Sequence, residues 1–172
     1  MAKENRYESY LGNRLLKPTN VPQQFTKEEV EEYVKCRNDI VYFLKHYGKV
    51  IHVDKGLIPF DLYDYQQDLI NTFDNNRYVI VKSARQSGKS VTSLGYILHY
   101  VLFNQTKIVG MLANKASTSR ELLGRLQTAY QHLPKFLQQG IVEWNKGNLE
   151  LENGSKIIAS STSSSAIRGY SF

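Results

Sequence analysis

Tyr78-Val79-Ile80-Val81 runs without a break into Lys82-Ser83-Ala84-Arg85-Gln86-Ser87-Gly88-Lys89-Ser90, and an apolar helical stretch follows as far as Phe103. No other part of the chain constrains its fold as tightly. A short β-branched run, apolar at consecutive positions, is what a strand buried on both faces shows. Gly-Lys-Ser at the start of a helix puts a bare backbone, a cation and a hydroxyl at the helix end that carries orphan N–H groups and positive partial charge. Strand, loop and helix in this order specify an α/β sheet rather than a bundle or a sandwich.

The alternation continues downstream. Lys107–Leu112 reads as a second strand. Ser117–His132 reads as a second helix, with Leu122, Leu123, Leu126 and Tyr130 on its apolar face. Parallel strands joined through helices take right-handed crossovers. Ile141–Trp144 and Leu149–Glu152 read as further strands. Asn153-Gly154 is a hairpin turn signal, and Lys156–Ala159 returns as the partner. Ser160–Ser165 is a low-complexity patch that reads as a flexible loop.

Upstream, Thr26-Lys27-Glu28-Glu29 fits a capping box and opens a helix. A short helix over Asp39–Tyr47 sets Ile40, Phe43 and Leu44 on one face. Val50–Val53 and Leu57–Phe60 flank Asp54-Lys55-Gly56 as a small hairpin. Helix resumes near Asp64, with Leu69, Ile70 and Phe73 inward, and ends at Asn75-Asn76. Residues 1–25 are polar, contain Pro18 and Pro22, and lack periodicity. The expected organisation is an irregular leader over 1–25, a helical and hairpin subdomain over 26–63, and an α/β core over 64–172 whose mainly parallel sheet is flanked by helices.

Composition narrows the class. The 172 residues, 41% hydrophobic and 22% charged, are ordinary for a soluble globular protein, which excludes a disordered tail or a fibre. No apolar run reaches membrane-spanning length, and no secretory signal opens the chain. Cys36 is the single cysteine, so no internal disulfide forms, and His46, His52, His99 and His132 show no ligand spacing. The cell interior is the expected home. Net charge is +6, with eight basic against four acidic groups in residues 101–172. That excess permits contact with a polyanion without requiring it.

The chemistry centres on residues 83–90. A phosphate loop has Gly, four residues, then Gly-Lys-Ser/Thr between a strand and a helix. Gly88, Lys89 and Ser90 match its end, and Ser83 stands where the first Gly is expected. Successive N–H groups from Ser83, Ala84, Arg85, Gln86 and Ser87 can line an anion nest. Lys89 can reach β- and γ-phosphate oxygens of ATP, and the Ser90 hydroxyl can complete the shell of a bridging Mg²⁺. Arg85 can serve as an arginine finger in cis or remain solvated. A Gln amide such as that of Gln66 can donate to and accept from an adenine edge, or simply lie on a helix face, as can its neighbour Gln67. Lys115, Arg120, Arg125 and Arg168 are candidate DNA-phosphate contacts or solvated helix-face charges.

Taken together, these residues resemble the large terminase subunit of T4-like tailed phages. The resemblance runs from about Asn20 to Phe172. It rests on Phe25–Val34, Tyr65-Gln66, Ser83–Ser90, Gly140–Gly147 and Arg168-Gly169-Tyr170-Ser171-Phe172. It implies an additional-strand P-loop NTPase fold, with ATP and Mg²⁺ held by Lys89 and Ser90, Arg85 as cis finger or γ-phosphate sensor, and Gln66 reading adenine. It also implies an ATP-driven motor that moves viral DNA into the prohead. Double-stranded DNA, portal protein and small terminase subunit would be its partners, in an oligomeric ring and in host cytoplasm. Full-length members add a Walker B strand ending in Asp-Glu and a nuclease domain that cuts concatemeric DNA. After Lys89 the acidic residues are Glu121, Glu143, Glu150 and Glu152, and none follows four aliphatic residues. The chain is therefore expected to stop before its Walker B strand and to hydrolyse ATP poorly. The alternatives are a helicase-like or other P-loop ATPase, or a non-catalytic split-gene fragment that binds its missing half or DNA.

Overall fold

The computed structural model describes residues 9–52 and 54–162. The first two helices are short, α1 over Lys27–Asn38 and α2 over Ile40–Tyr47. The expected capping box is formed: the Thr26 hydroxyl accepts from the Glu29 N–H at 3.2 Å, and Glu29 Oε2 accepts from the Thr26 N–H at 3.0 Å. Two of the orphan donors at the helix start are thereby satisfied. Thr26→Ala should lower stability by about 1 kcal/mol in urea unfolding with little change in the denaturant slope. Asp39 ends α1 and caps α2, its Oδ1 accepting from the Tyr42 N–H at 2.8 Å. The corner is tied by Glu32, whose Oε1 accepts from the hydroxyls of Tyr42 and Tyr47 at 2.7 and 3.0 Å.

A hairpin of β1 (Lys49–His52) and β2 (Gly56–Pro59) follows, in antiparallel register. Next come α3 (Asp64–Asn75) and α4 (Lys89–Phe103). The second half of the chain gives β3 (Ile108–Ala113), α5 (Ala116–Gln131), a 3-10 turn over Lys135–Leu137, β4 (Ile141–Trp144), β5 (Asn148–Leu151) and β6 (Lys156–Ser161). The protein is thus α/β. No helix among the described residues is long and apolar enough to cross a membrane.

The sheet among the described residues runs in the order β3-β6-β5-β4. Only β3 and β6 are parallel; β5 is antiparallel to both of its neighbours. The sheet is therefore mixed, where the sequence suggested a mainly parallel one. The cause is the pair of tight turns at Asn145–Gly147 and Asn153-Gly154, because a turn of two or three residues can reverse a strand but cannot carry it back to a parallel start. α5 packs against β3 and β6, and α4 packs against α5, α3 and α2.

Two further expectations are corrected. Tyr78–Val81 belongs to no strand among the described residues; Tyr78 is 82% and Ile80 98% exposed. A run apolar enough for a buried strand becomes one only when neighbours supply its ladder, and β3 pairs with β6 instead. Ser160 and Ser161 are not loop residues. They continue β6 opposite Leu112 and Ala113, so backbone pairing overrides their polar composition. Residues 163–165 of that patch, Arg168 and the motif at 168–172 lie outside the described residues.

The core joins both halves. Phe43 of α2 is fully buried and meets the rings of His99 and Phe103 on α4 edge-on, at 5.5 and 5.6 Å. His99 Nε2 lies 2.9 Å from the Cys36 carbonyl at the end of α1, and burial holds its imidazole below the usual range, which favours the neutral ring as donor. Gly95 lets α4 approach closely, because a Cβ there would stand 2.9 Å from Leu44 and 3.3 Å from Phe60. The Cys36 thiol is buried and pushed up to about 12, chiefly by desolvation, so it is inert packing rather than a nucleophile.

Residues 9–20 contain no helix or strand but are firmly seated. Leu16 is buried, and Pro18 forms a parallel bridge with Ile141 at the edge of β4. Buried Gln138 accepts from the Lys17 N–H at 3.1 Å and donates to the Leu15 and Leu133 carbonyls, each at 2.9 Å. The Asn20 N–H donates to Glu152 Oε1 at 2.8 Å. This strap covers part of a sheet edge that would otherwise offer unpaired backbone.

Candidate functional site

Residues 83–90 form the turn that leads into α4. Gly88 is the N-cap of that helix, with φ +74 and ψ 3. Gln86 is also left-handed, at φ +63. A non-glycine residue in this region is uncommon, and such strain concentrates at functional turns. Left-handed residues interspersed in a turn are a feature of backbone anion nests. The first N–H groups of the fifteen-residue helix α4 point out of the same end.

Side chains brace the turn. Ser87 Oγ lies 3.1 Å from Ser83 Oγ and 3.0 Å from the Ala84 carbonyl. Lys89 Nζ donates to that same Ala84 carbonyl at 3.1 Å, so the cation lies across the loop rather than in solvent. Thr92 Oγ1, on a buried residue, donates to the Gly88 carbonyl at 3.1 Å. Arg85, Gln86 and Ser90 are exposed, while Ser87, Gly88 and Lys89 are half-buried. The eight residues singled out in the sequence are therefore contiguous around one turn, with one cation across it and another at its rim.

Gln66 reaches the same place from α3. It is 4% exposed, and its Oε1 accepts from the Tyr63 N–H at 3.0 Å, closing the start of α3. Its Nε2 would stand 2.5 Å from a Cβ built on Gly88, so the amide fills the space that the missing side chain leaves. Gly88 is thus favoured by its positive φ, and a side chain there would also displace the Gln66 amide. Tyr65, unremarked in the sequence beyond its place before Gln66, donates its hydroxyl to the Ser87 carbonyl at 2.8 Å. Its ring stacks on that of Tyr63, with centroids 5.7 Å apart and planes 9° from parallel. A Gln three residues after an N-cap position was the available signal for the α3 closure. No local signal pointed to the tyrosine link.

Among the described residues, the other basic candidates belong to α5 or its cap. Arg125 pairs with Glu121 along α5 at 2.6 Å. Lys115 is the N-cap of α5, and Arg120 is exposed on that helix. Glu143 and Glu150 share Lys156 across the sheet, at 3.6 and 2.9 Å, so they serve pairing between strands. No group of acidic, histidine or cysteine side chains suited to hold a metal occurs among the described residues.

A comparison with protein families bears on this turn. The model of the family described as "Terminase large subunit, T4likevirus-type, N-terminal" matches residues 80–172. The match begins at Ile80, before the turn, and includes Ser83–Ser90, α4, α5 and strands β3 to β6. It covers more than half of the chain. With the braced turn at its start, the chain belongs to the T4likevirus-type terminase large subunits, as part of their N-terminal region.

Proposed function

We propose that the turn at residues 83–90 is the triphosphate site of an ATPase, and that the chain is the nucleotide-holding part of a DNA-packaging motor. The observation that carries this reading is the pair of left-handed residues, Gln86 and Gly88, at the start of α4 with Lys89 lying across the loop. A bare, concave backbone at a helix N-terminus fits an anion, and a lysine poised over it supplies the countercharge. The fold would be that of an additional-strand P-loop NTPase.

In this reading the backbone N–H groups of Ala84, Gln86, Ser87 and Gly88 hold phosphate oxygens. Lys89 exchanges the Ala84 carbonyl for a β- or γ-oxygen. The exposed Ser90 hydroxyl would help hold Mg²⁺, which when bound would supply neutralisation of developing charge. Arg85, exposed on the rim, is free to swing toward the γ-phosphate. Adenine reading by Gln66 would exchange its Tyr63 bond for one to the base. Double-stranded DNA, the portal protein and the small terminase subunit are the partners, and family membership favours this motor over a helicase-like ATPase.

Titration of the protein with ATP, with and without Mg²⁺, tests the reading. Saturable binding that tightens with Mg²⁺ is expected. Binding that is absent, or indifferent to Mg²⁺, would count against it.

A further inference from the structure

The phosphate loop is held from outside by the first turn of α3. Tyr65 and Gln66 touch two consecutive loop residues: the tyrosine hydroxyl takes the Ser87 carbonyl, and the Gln66 amide lies against Gly88. Both are anchored in turn. Gln66 is fixed by the Tyr63 N–H, and Tyr65 by stacking on Tyr63.

The consequence follows from peptide geometry. The carbonyl of Ser87 and the N–H of Gly88 belong to one planar trans unit and point in opposite directions. A peptide preceding a glycine flips more readily than others, because glycine tolerates both hands of φ. A hydroxyl that holds the carbonyl on one side therefore fixes the N–H on the other. We infer that Tyr65 is a positioning residue: its hydroxyl locks the Ser87–Gly88 peptide so that the Gly88 N–H is preset toward a bound polyphosphate. The role rests on the triphosphate site proposed above and goes beyond it. It assigns work on the phosphate end to a tyrosine that is 51% exposed and whose neighbour was expected to serve the base.

The probes are ATP and inorganic tripolyphosphate, each with Mg²⁺, and the variant is Tyr65→Phe, which keeps the ring and its stack. Affinity for both probes should fall by the same factor, roughly three- to tenfold, the weight of one hydrogen bond. The melting temperature of the free protein should stay within about 2 °C, since the bond is at the surface. Loss of ATP affinity with tripolyphosphate unchanged would overturn the inference and move Tyr65 to the base. No change with either probe would overturn it as well. Backbone ¹⁵N order parameters of Ser87 and Gly88, measured without ligand, decide the lock independently. They should drop in Tyr65→Phe, and unchanged values would overturn it. If the unsubstituted protein bound neither probe, the triphosphate site would fall, while the order parameters would still decide whether Tyr65 holds the peptide.

Discussion

Replacing Lys89 with alanine should weaken ATP binding by roughly 10- to 150-fold, the weight of a charge-assisted hydrogen bond of about 1.5–3 kcal/mol. The fold should survive. Lys89 contributes to the free protein only a bond to the exposed Ala84 residue, at 3.1 Å, and its first-turn position at α4 is one where a positive charge opposes the helix dipole. Alanine is at least as good a helix former there. The measurement is calorimetric titration with ATP·Mg, beside a circular-dichroism melt that should move little. ATP affinity equal to that of the unsubstituted chain would remove the phosphate-loop assignment.

The second large effect lies in the core. Phe43→Ala should destabilise the protein by about 3–5 kcal/mol, because it removes a fully buried ring and leaves a cavity that α2 and α4 cannot close. Edge contacts to His99 and Phe103 are lost with it. Against a typical total of about 5–15 kcal/mol, much of the margin goes. A fall in melting temperature of roughly 6–20 °C is expected for a chain of this size. Val34→Ala, at a position 48% exposed on α1, is the control and should change stability by under about 0.5 kcal/mol. If both variants melted alike, Phe43 would not be what joins the N-terminal helices to α4.

What the sequence made legible was local. The Thr26 capping box, the turn at Asn153-Gly154 and the apolar faces of α2 and α5 each depend on residues within a few positions of one another, and all appear in the fold. The Gly-Lys-Ser helix start was legible for the same reason. What was not legible depends on partners far along the chain. Nothing near Tyr78–Val81 reveals that β3 will pair with β6 instead. Nothing in a serine run says that Ser160 and Ser161 will lie opposite Leu112 and Ala113. The site divides along the same line. The loop residues were singled out by their spacing, whereas the bond from Tyr65 to Ser87 spans 22 positions and required the fold.

The strap at residues 9–20 has a consequence for the order in which the molecule is made. Its main anchors, Gln138 and Glu152, lie 121 positions after Lys17 and 132 after Asn20. During synthesis at about 5–20 residues per second, roughly 6–24 s pass between polymerisation of Lys17 and that of Gln138. Closing so long a loop costs entropy that only the finished 3-10 turn and β4 can offset. A segment made well before its anchors is thus among the last to find its place, and it stays accessible to proteases and chaperones until they arrive.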